Sequence, residues 1–281
     1  MSTGSETLRE GTRLLTEAGV PEAAGDARRL FAHALGLEPG RLTLSLPEPV
    51  PEAARDLYGQ LIERRAAREP VSHLIGRRSF YGRDFTVTPD VLDPRPETEI
   101  LVEAALARPF ETVLDLGTGS GCILLTLLAE MPGTRGLGTD ISEAALEIAR
   151  LNAQILGVGP RARLLLADWC AGIPGAFDLI VSNPPYIAAA EMGALDPEVR
   201  DWEPRLALTD EGDGLGAYRA ILAGAGALLV PGGRLLLEVG AGQAQDVAAL
   251  ARDEGFDGVT AITDLDGRPR VVTAETPEIP F

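Results

Sequence analysis

The run Val113-Leu114-Asp115-Leu116-Gly117-Thr118-Gly119-Ser120-Gly121-Cys122-Ile123 limits what this chain can fold into more tightly than any other stretch. An apolar strand enters a glycine-rich turn, and Ile123 to Ala129 continue as a helix. A strand that reverses into a helix within a few residues needs unusual φ angles. Missing side chains also let a ligand lie against the backbone amides at the helix N-terminus. Nineteen residues beyond Gly121, Asp140 closes the next strand, where a carboxylate can accept hydrogen bonds from both hydroxyls of a ribose.

The surrounding pattern extends this unit into a sheet. Apolar, β-branched runs recur at Thr112–Leu116, Gly136–Asp140, Arg163–Leu166, Phe177–Ser182, Arg234–Val239, Val259–Thr263 and Arg270–Ala274, separated mostly by helix-length segments. That alternation predicts an α/β fold with a doubly wound, Rossmann-like sheet of seven strands. The turn at Asp264 to Gly267 is too short for a crossover helix, so the last strand pair is expected to be antiparallel.

The first part of the chain reads differently. Ala23, Ala27, Leu30, Phe31, Ala34 and Leu35 recur at three-and-four spacing, as do Ala54, Leu57, Tyr58, Leu61 and Ile62. Pro47, Pro49 and Pro51 make an extended connection between these helices, and Glu69-Pro70 ends the second. From Ser79 to Thr88, aromatic and β-branched residues around a turn suggest a hairpin. The expected organisation is a helical domain at 1–75, a hairpin linker at 76–92 and the sheet domain at 93–281. Arg64, Arg65, Arg68, Arg77, Arg78 and Arg83 gather at the junction, either as a solvated face or as a docking patch for an acidic partner.

Charge narrows the partners. With 25 basic against 42 acidic side chains the net charge is -17, which repels a phosphate backbone and disfavours direct nucleic-acid binding. Residues 1–72 hold nine Arg against eleven acidic groups, so nearly all of this excess lies in the sheet domain. Two cysteines, Cys122 and Cys170, are too few for a disulfide framework and fit a reducing cytoplasm. His33 and His73 lack partners at ligand spacing, so no metal site is expected. The N-terminus has no signal-peptide pattern. Ile221 to Val230, the longest apolar stretch, is broken by Gly224 and Gly226 and is too short for a bilayer. A cytoplasmic protein is expected, with a monomer as the default.

A glycine turn alone leaves several functions open: a nicotinamide dinucleotide enzyme, an S-adenosylmethionine enzyme, or a binding module that keeps the fold without turnover. In Asp115-x-Gly117-x-Gly119-x-Gly121 the third glycine follows the second by two residues, the form common in S-adenosylmethionine enzymes, which have no pyrophosphate to cradle. Asp168 and Trp169, at the end of the third strand, offer a carboxylate and a ring face to an adenine.

Asn183-Pro184-Pro185-Tyr186 follows the strand Phe177–Ser182, at the carboxyl end of the sheet where ligands bind in such folds. A planar, conjugated NH2 is a poor nucleophile and must be held for in-line displacement. Asn183 offers a side-chain oxygen, and Pro184 offers a carbonyl without an N–H, so two acceptors could grip both N–H bonds. The double proline holds these oxygens in an extended geometry before substrate arrives, and Tyr186 could cover one face of the planar group. No general base is assigned. The same logic serves an adenine amino group or a glutamine amide.

At these residues the sequence resembles the bacterial release-factor glutamine methyltransferases, the PrmC or HemK family. The resemblance spans nearly the whole chain. Leu92-Asp93-Pro94-Arg95-Pro96-Glu97-Thr98-Glu99, Glu203-Pro204 with Ala207-Leu208, Asp213-Gly214-Leu215, and Leu237-Glu238-Val239-Gly240 with Gln243 follow in the family's order. It implies a helical bundle, a hairpin and a seven-stranded S-adenosylmethionine-dependent catalytic domain. The implied substrate is the Gly-Gly-Gln glutamine of peptide chain release factors, methylated at N5 with S-adenosylhomocysteine as the second product. By position, Gly117, Thr118, Gly119, Ser120, Gly121, Asp140 and Trp169 would hold the cofactor. Asn183, Pro184, Pro185 and Tyr186 would hold the glutamine, with Asn183 also touching the cofactor. Asp168 is added from its strand-end position alone. His73 and Asp93 depart from the family pattern, at positions that bear on packing and docking. The competing activity is N6 methylation of adenine in nucleic acid.

Overall fold

The computed structural model describes residues 2–278, which divide into two compact units. The first comprises residues up to Arg77 together with Asp196–Trp202, and the second comprises Arg78–Leu195 and Glu203 onward.

The first unit is helical. Gly4–Glu17 opens with a capping box in which Glu6 N–H donates to Thr3 Oγ1 and Thr3 N–H donates to Glu6 Oε2. This helix escaped the spacing argument, although Thr3-x-x-Glu6 is its sequence signature. Ala23–Ala34 and Glu52–Ala66 are the two helices that the apolar spacing predicts. They bury Ala27, Leu30, Phe31, Tyr58, Leu61 and Ile62 in one core, with the Phe31 and Tyr58 ring centroids 4.9 Å apart. Pro70 precedes the short helix Val71–Ile75, where its missing N–H costs nothing.

An ion-pair network is buried in this unit. Arg65 is 5% exposed; its Nε donates to Asp26 at 2.7 Å and its Nη2 to Glu198 at 2.7 Å. Arg68 donates to both oxygens of Glu198. Burial pushes the Glu198 carboxyl up, but hydrogen bonds from Arg68 and Arg65 outweigh it and hold the group at about 2. Nor are the other clustered arginines free: Arg64 pairs with Glu69, Arg78 with Asp93, and Arg83 with Glu130. Arg64, Arg65, Arg68, Arg78 and Arg83 are thus engaged with the chain's own carboxylates.

A hairpin of β1 (Arg77–Phe80) and β2 (Arg83–Thr86) follows, all but its first residue within the second unit. Phe80 and Phe85 meet edge to face, with centroids 6.0 Å apart, and bury into the core of the sheet unit. The main sheet contains β3 (Thr112–Leu116), β4 (Arg135–Asp140), β5 (Ala162–Leu166), β6 (Phe177–Ser182), β7 (Leu229–Glu238), β8 (Asp257–Thr263) and β9 (Pro269–Glu275). Their spatial order is β5-β4-β3-β6-β7-β9-β8. The first five in that order are parallel, and β9 runs antiparallel to both β7 and β8. Seven strands and the antiparallel end agree with the sequence expectation. β7 begins earlier than expected, at Leu229, and passes through an irregular register before Arg234.

Successive residues of the central strands enter opposite layers, as strand geometry requires. Leu114, Ile180, Leu235 and Leu237 pack against the helices Gly216–Leu228 and Ala244–Asp253. Val113, Leu179, Val181 and Leu236 pack against Glu99–Leu106 and Cys122–Glu130. Among the described residues, no helix is long and apolar enough to cross a membrane.

The buried network yields a stability test. Arg65→Ala removes the buried cation shared by Asp26 and Glu198, leaving Asp26 with the more exposed Arg29 and Glu198 with Arg68, and should destabilise the helical unit by about 2 kcal/mol. Of the two tryptophans, Trp202 belongs to the helical unit and Trp169 to the sheet unit. Urea unfolding followed by Trp202 emission in a Trp169→Phe background therefore reads the effect directly.

Candidate active site

The strand order reverses at β3, which has β4 on one side and β6 on the other. In such sheets this switch point opens a crevice at the carboxyl ends of the strands. Leu116 and Ser182 are register partners, and Ser182 Oγ donates to Leu116 O at 2.7 Å. The turn after β3 and the turn after β6 therefore leave the sheet side by side.

The first turn is built from Gly117, Gly119 and Gly121, with φ of 71°, 55° and 81°. These left-handed conformations suit glycine and few other residues. A Cβ on Gly121 would also stand 2.8 Å from Leu125, whereas one on Gly119 would meet no protein atom within 4 Å. Gly121 caps the helix Cys122–Glu130 without a side-chain acceptor. Thr118 Oγ1 donates to Asp115 Oδ2 at 2.7 Å, and Thr118 N–H donates to Thr139 O on β4. Asp140 accepts Gly119 N–H on one oxygen and Ser142 N–H on the other, each at 2.9 Å.

A cavity of about 480 Å³ lies over these loops, wholly within the sheet unit. Gly117, Thr118, Gly119, Ser120, Asp140, Asp168, Trp169, Asn183 and Pro185 all line it. Most of the residues singled out from the sequence thus share one wall. Trp169 adopts φ 46°, a strained angle for a bulky residue, and its ring reaches within 3.5 Å of where a Gly117 Cβ would stand. Gly121, Pro184 and Tyr186 do not line the cavity. Gly121 acts in the helix cap instead. Tyr186 packs against the sheet core, and its carbonyl accepts Gln243 Nε2 at 2.9 Å.

Asn183 is oriented by a neighbour that the sequence reading gave no role. Its Nδ2 donates to Thr98 Oγ1 at 3.3 Å, and Thr98 is buried. Arg95, which also lines the cavity, donates to both oxygens of buried Glu203 at 2.6 Å. Gln243 bridges three loops by donating to Tyr186 O and Gly214 O and accepting Gly240 N–H. Gly214 has φ 77°, and a Cβ there would fall 2.4 Å from Tyr186 O. Thr98, Arg95, Glu203, Glu238 and Gln243 all lie within motifs that carried the family resemblance. Their residue types alone gave no sign of which groups they would meet.

Several carboxyls under the site are forced upward. Burial pushes Asp115 to about 7, and hydrogen bonds from Thr118 and the Leu124 backbone only partly offset it. Burial likewise pushes Glu238 to about 7. Glu203 reaches about 7 because burial, reinforced by Asp93, outweighs the attraction of Arg95.

Comparison with known proteins agrees with this geometry. Residues 6–76 match the family model described as PrmC N-terminal domain, and residues 90–195 match that described as Methyltransferase small domain. A methyltransferase structure from Pyrococcus furiosus superposes with a TM-score of 0.54 at 19% identity, covering 78% of this chain and 98% of that one. Fold and matching domain define an enzyme of the S-adenosylmethionine-dependent methyltransferase class. The chain is 58% identical to a Cereibacter sphaeroides protein named release factor glutamine methyltransferase, over 97% of this chain and 98% of that protein. A Rhodospirillum rubrum protein of the same name is 48% identical over 95% of this chain and 83% of its own. The chain belongs to the release factor glutamine methyltransferase family.

The raised carboxyls predict an unusual pH response. A carboxyl whose folded pKa exceeds its unfolded value favours folding below the unfolded value and loses that contribution as pH rises through the folded one. Asp115, Glu203 and Glu238 should therefore lower the stability of the ligand-free protein between about pH 5 and about pH 8. His33, lowered by burial, works weakly in the opposite sense. Melting temperatures across this window should fall as pH rises; a flat or rising series would contradict the assigned burial.

Proposed function

We propose that this chain transfers a methyl group from S-adenosylmethionine to the side-chain amide nitrogen (N5) of the glutamine in the Gly-Gly-Gln motif of peptide chain release factors, with S-adenosylhomocysteine as the other product. The observation that carries the reading is the convergence of Gly119 and Asn183 on one cavity, from adjacent loops.

The residues of the first loop suit the donor. Gly119 leaves open space where a ligand can lie against backbone, and Asp140 faces the cavity with a carboxylate ordered by two N–H groups. Trp169 offers a ring and exposed Asp168 a carboxylate, in keeping with an adenine-binding role. When bound, the donor supplies a methyl group on a positively charged sulfur that becomes neutral on transfer.

Acceptor chemistry falls to the second loop. Because Asn183 Nδ2 is committed to Thr98, its Oδ1 is the end available to accept an N–H from the substrate amide. We assign the second acceptor to the carbonyl of Pro184, which stands between the cavity-lining Asn183 and Pro185 and has no N–H to compete. Two fixed acceptors hold the amide plane and leave its nitrogen directed along one line. No side chain is asked to remove a proton before transfer, since methylation itself makes the nitrogen acidic enough to release one to water. Tyr186, whose carbonyl is held by Gln243 and whose side chain packs against the core, is assigned to one face of the amide.

Relatives named for release factor glutamine methylation support the protein substrate. An adenine amino group presents the same pair of N–H bonds, but a net charge of -17 opposes approach to a phosphate backbone. We assign residues 1–75 to substrate docking, 76–92 to a hairpin linker and 93–281 to the methyltransferase domain, acting as a cytoplasmic monomer.

Mass spectrometry of the Gly-Gly-Gln peptide after incubation with donor should show one added methyl on the glutamine. Label appearing in duplex DNA and not in release factor would overturn the assignment. Asn183→Ala should leave donor binding by calorimetry nearly intact while lowering transfer by roughly 10²-fold.

A further inference from the structure

The loop that carries Asn183 is held from below by a side chain far along the sequence. Gln243, the residue before the helix Ala244–Asp253, gives its amide hydrogens to carbonyls of two other segments. Its Nε2 donates to Tyr186 O at 2.9 Å and to Gly214 O at 3.2 Å. Its Oε1 accepts Gly240 N–H at 3.1 Å, just past the end of β7. The surrounding backbone approaches closely. A Cβ on Gly214 would fall 2.4 Å from Tyr186 O and 3.0 Å from Gln243 Nε2, and one on Gly240 would fall 2.6 Å from Gln243 Oε1 and 2.9 Å from the Tyr186 ring.

Of the common side chains, an amide suits this junction. Two protons have to be given and one accepted; a carboxylate gives none, and an aliphatic group does neither. The junction also continues into the cavity wall. Ile187 N–H donates to Leu208 O at 2.9 Å and Ala189 N–H to Gly212 O at 3.0 Å, so residues 186–189 run beside 208–214. Asp210 orders that neighbouring segment by accepting the N–H groups of Gly212, Gly214 and Gly216. Thr209, Asp210, Glu211 and Gly216 line the cavity that Asn183 and Pro185 also line. Gln243 thus ties the corner after β6 to a second wall of the same cavity.

The two prolines carry that hold back to Asn183. Their rings fix φ at Pro184 and Pro185, and each keeps the residue before it extended, so few torsions stay free between Asn183 and the Tyr186 carbonyl. We propose that Gln243 is a positioning residue for methyl transfer, holding the Asn183–Tyr186 corner through Tyr186 O so that its acceptors stay aimed at the substrate amide. The proposal rests on the reading that this corner grips that amide. Among the described residues, no hydrogen bond joins Gln243 to the glycine turn after β3, so donor binding is independent of it.

Gln243→Glu is the most selective variant. It keeps the shape and can still accept Gly240 N–H, while its carboxylate faces two carbonyl oxygens to which it has no proton to give. For transfer to release factor, kcat should fall roughly 10- to 100-fold, with the KM and calorimetric affinity for S-adenosylmethionine within about two-fold. Gln243→Leu should behave alike. In an Asn183→Ala background either substitution should cost little more, because both act on one grip. Amide hydrogen exchange reads the hold directly: peptides spanning 186–189 and 212–216 should exchange faster in Gln243→Glu, and those spanning 112–121 should not change. Unchanged exchange at 186–189 would overturn the proposal, as would losses that multiply in full with that of Asn183→Ala. Loss of donor affinity or of the folded state in both variants would mark Gln243 as a general support of the fold and overturn it too. If the unaltered enzyme bound donor yet left release factor unmethylated, the acceptor reading would fall, and the exchange comparison would still decide whether Gln243 holds the corner.

Discussion

The hydrogen bond from Ser182 Oγ to Leu116 O fastens the carboxyl ends of β3 and β6 together, and the rest of the site is built outward from that join. Because those strands run parallel in register, Gly117 and Asn183 begin their loops from adjacent points. A donor-binding turn and an acceptor-binding corner need separate chemistry: open backbone in one, fixed lone pairs in the other. Parallel pairing at a switch point brings them within one cavity without any long-range adjustment. Helices on both faces keep the strands buried and rigid, so the precision of the loops is inherited from the sheet.

Beneath the cavity, the protein accumulates carboxyls that burial makes reluctant to ionise. Asp115 and Glu238 have almost no solvent, and Glu203, paired with Arg95, lies beside a second buried carboxylate, Asp93, which pairs with Arg78. In a ligand-free fold such groups are a burden. A cationic donor changes the balance, since a positive charge nearby favours the ionised form of each acid. The proposed chemistry thus assigns a use to acidity that the fold alone would not need, and the low-stability features gather where ligand binding can offset them.

How much of this was legible in the sequence depended on whether the signal was local. The glycine turn, the seven strands, and the Asn183 corner each announce themselves in a few consecutive residues, because φ restriction, strand alternation and proline geometry act at short range. Partners across the chain were not legible. Nothing in Thr98 shows that it meets Asn183, since that contact depends on the segment after Pro96 returning to the strand ends. Nor does an aromatic after two prolines show that Gln243, far along the chain, ties its backbone down while the side chain packs against the core. The arginine cluster likewise suggested a surface, and only the fold revealed carboxylates waiting for it.

The excursion Asp196–Trp202 means that the backbone crosses between the two units at three places, after Arg77, Leu195 and Trp202. A gene fragment that begins after residue 77 would carry Glu198 with neither Arg65 nor Arg68 to neutralise it. A fusion at one junction would therefore part Glu198 from both of its arginines. Any lineage that exchanged the helical portion would have had to re-engineer a short piece of the other half as well.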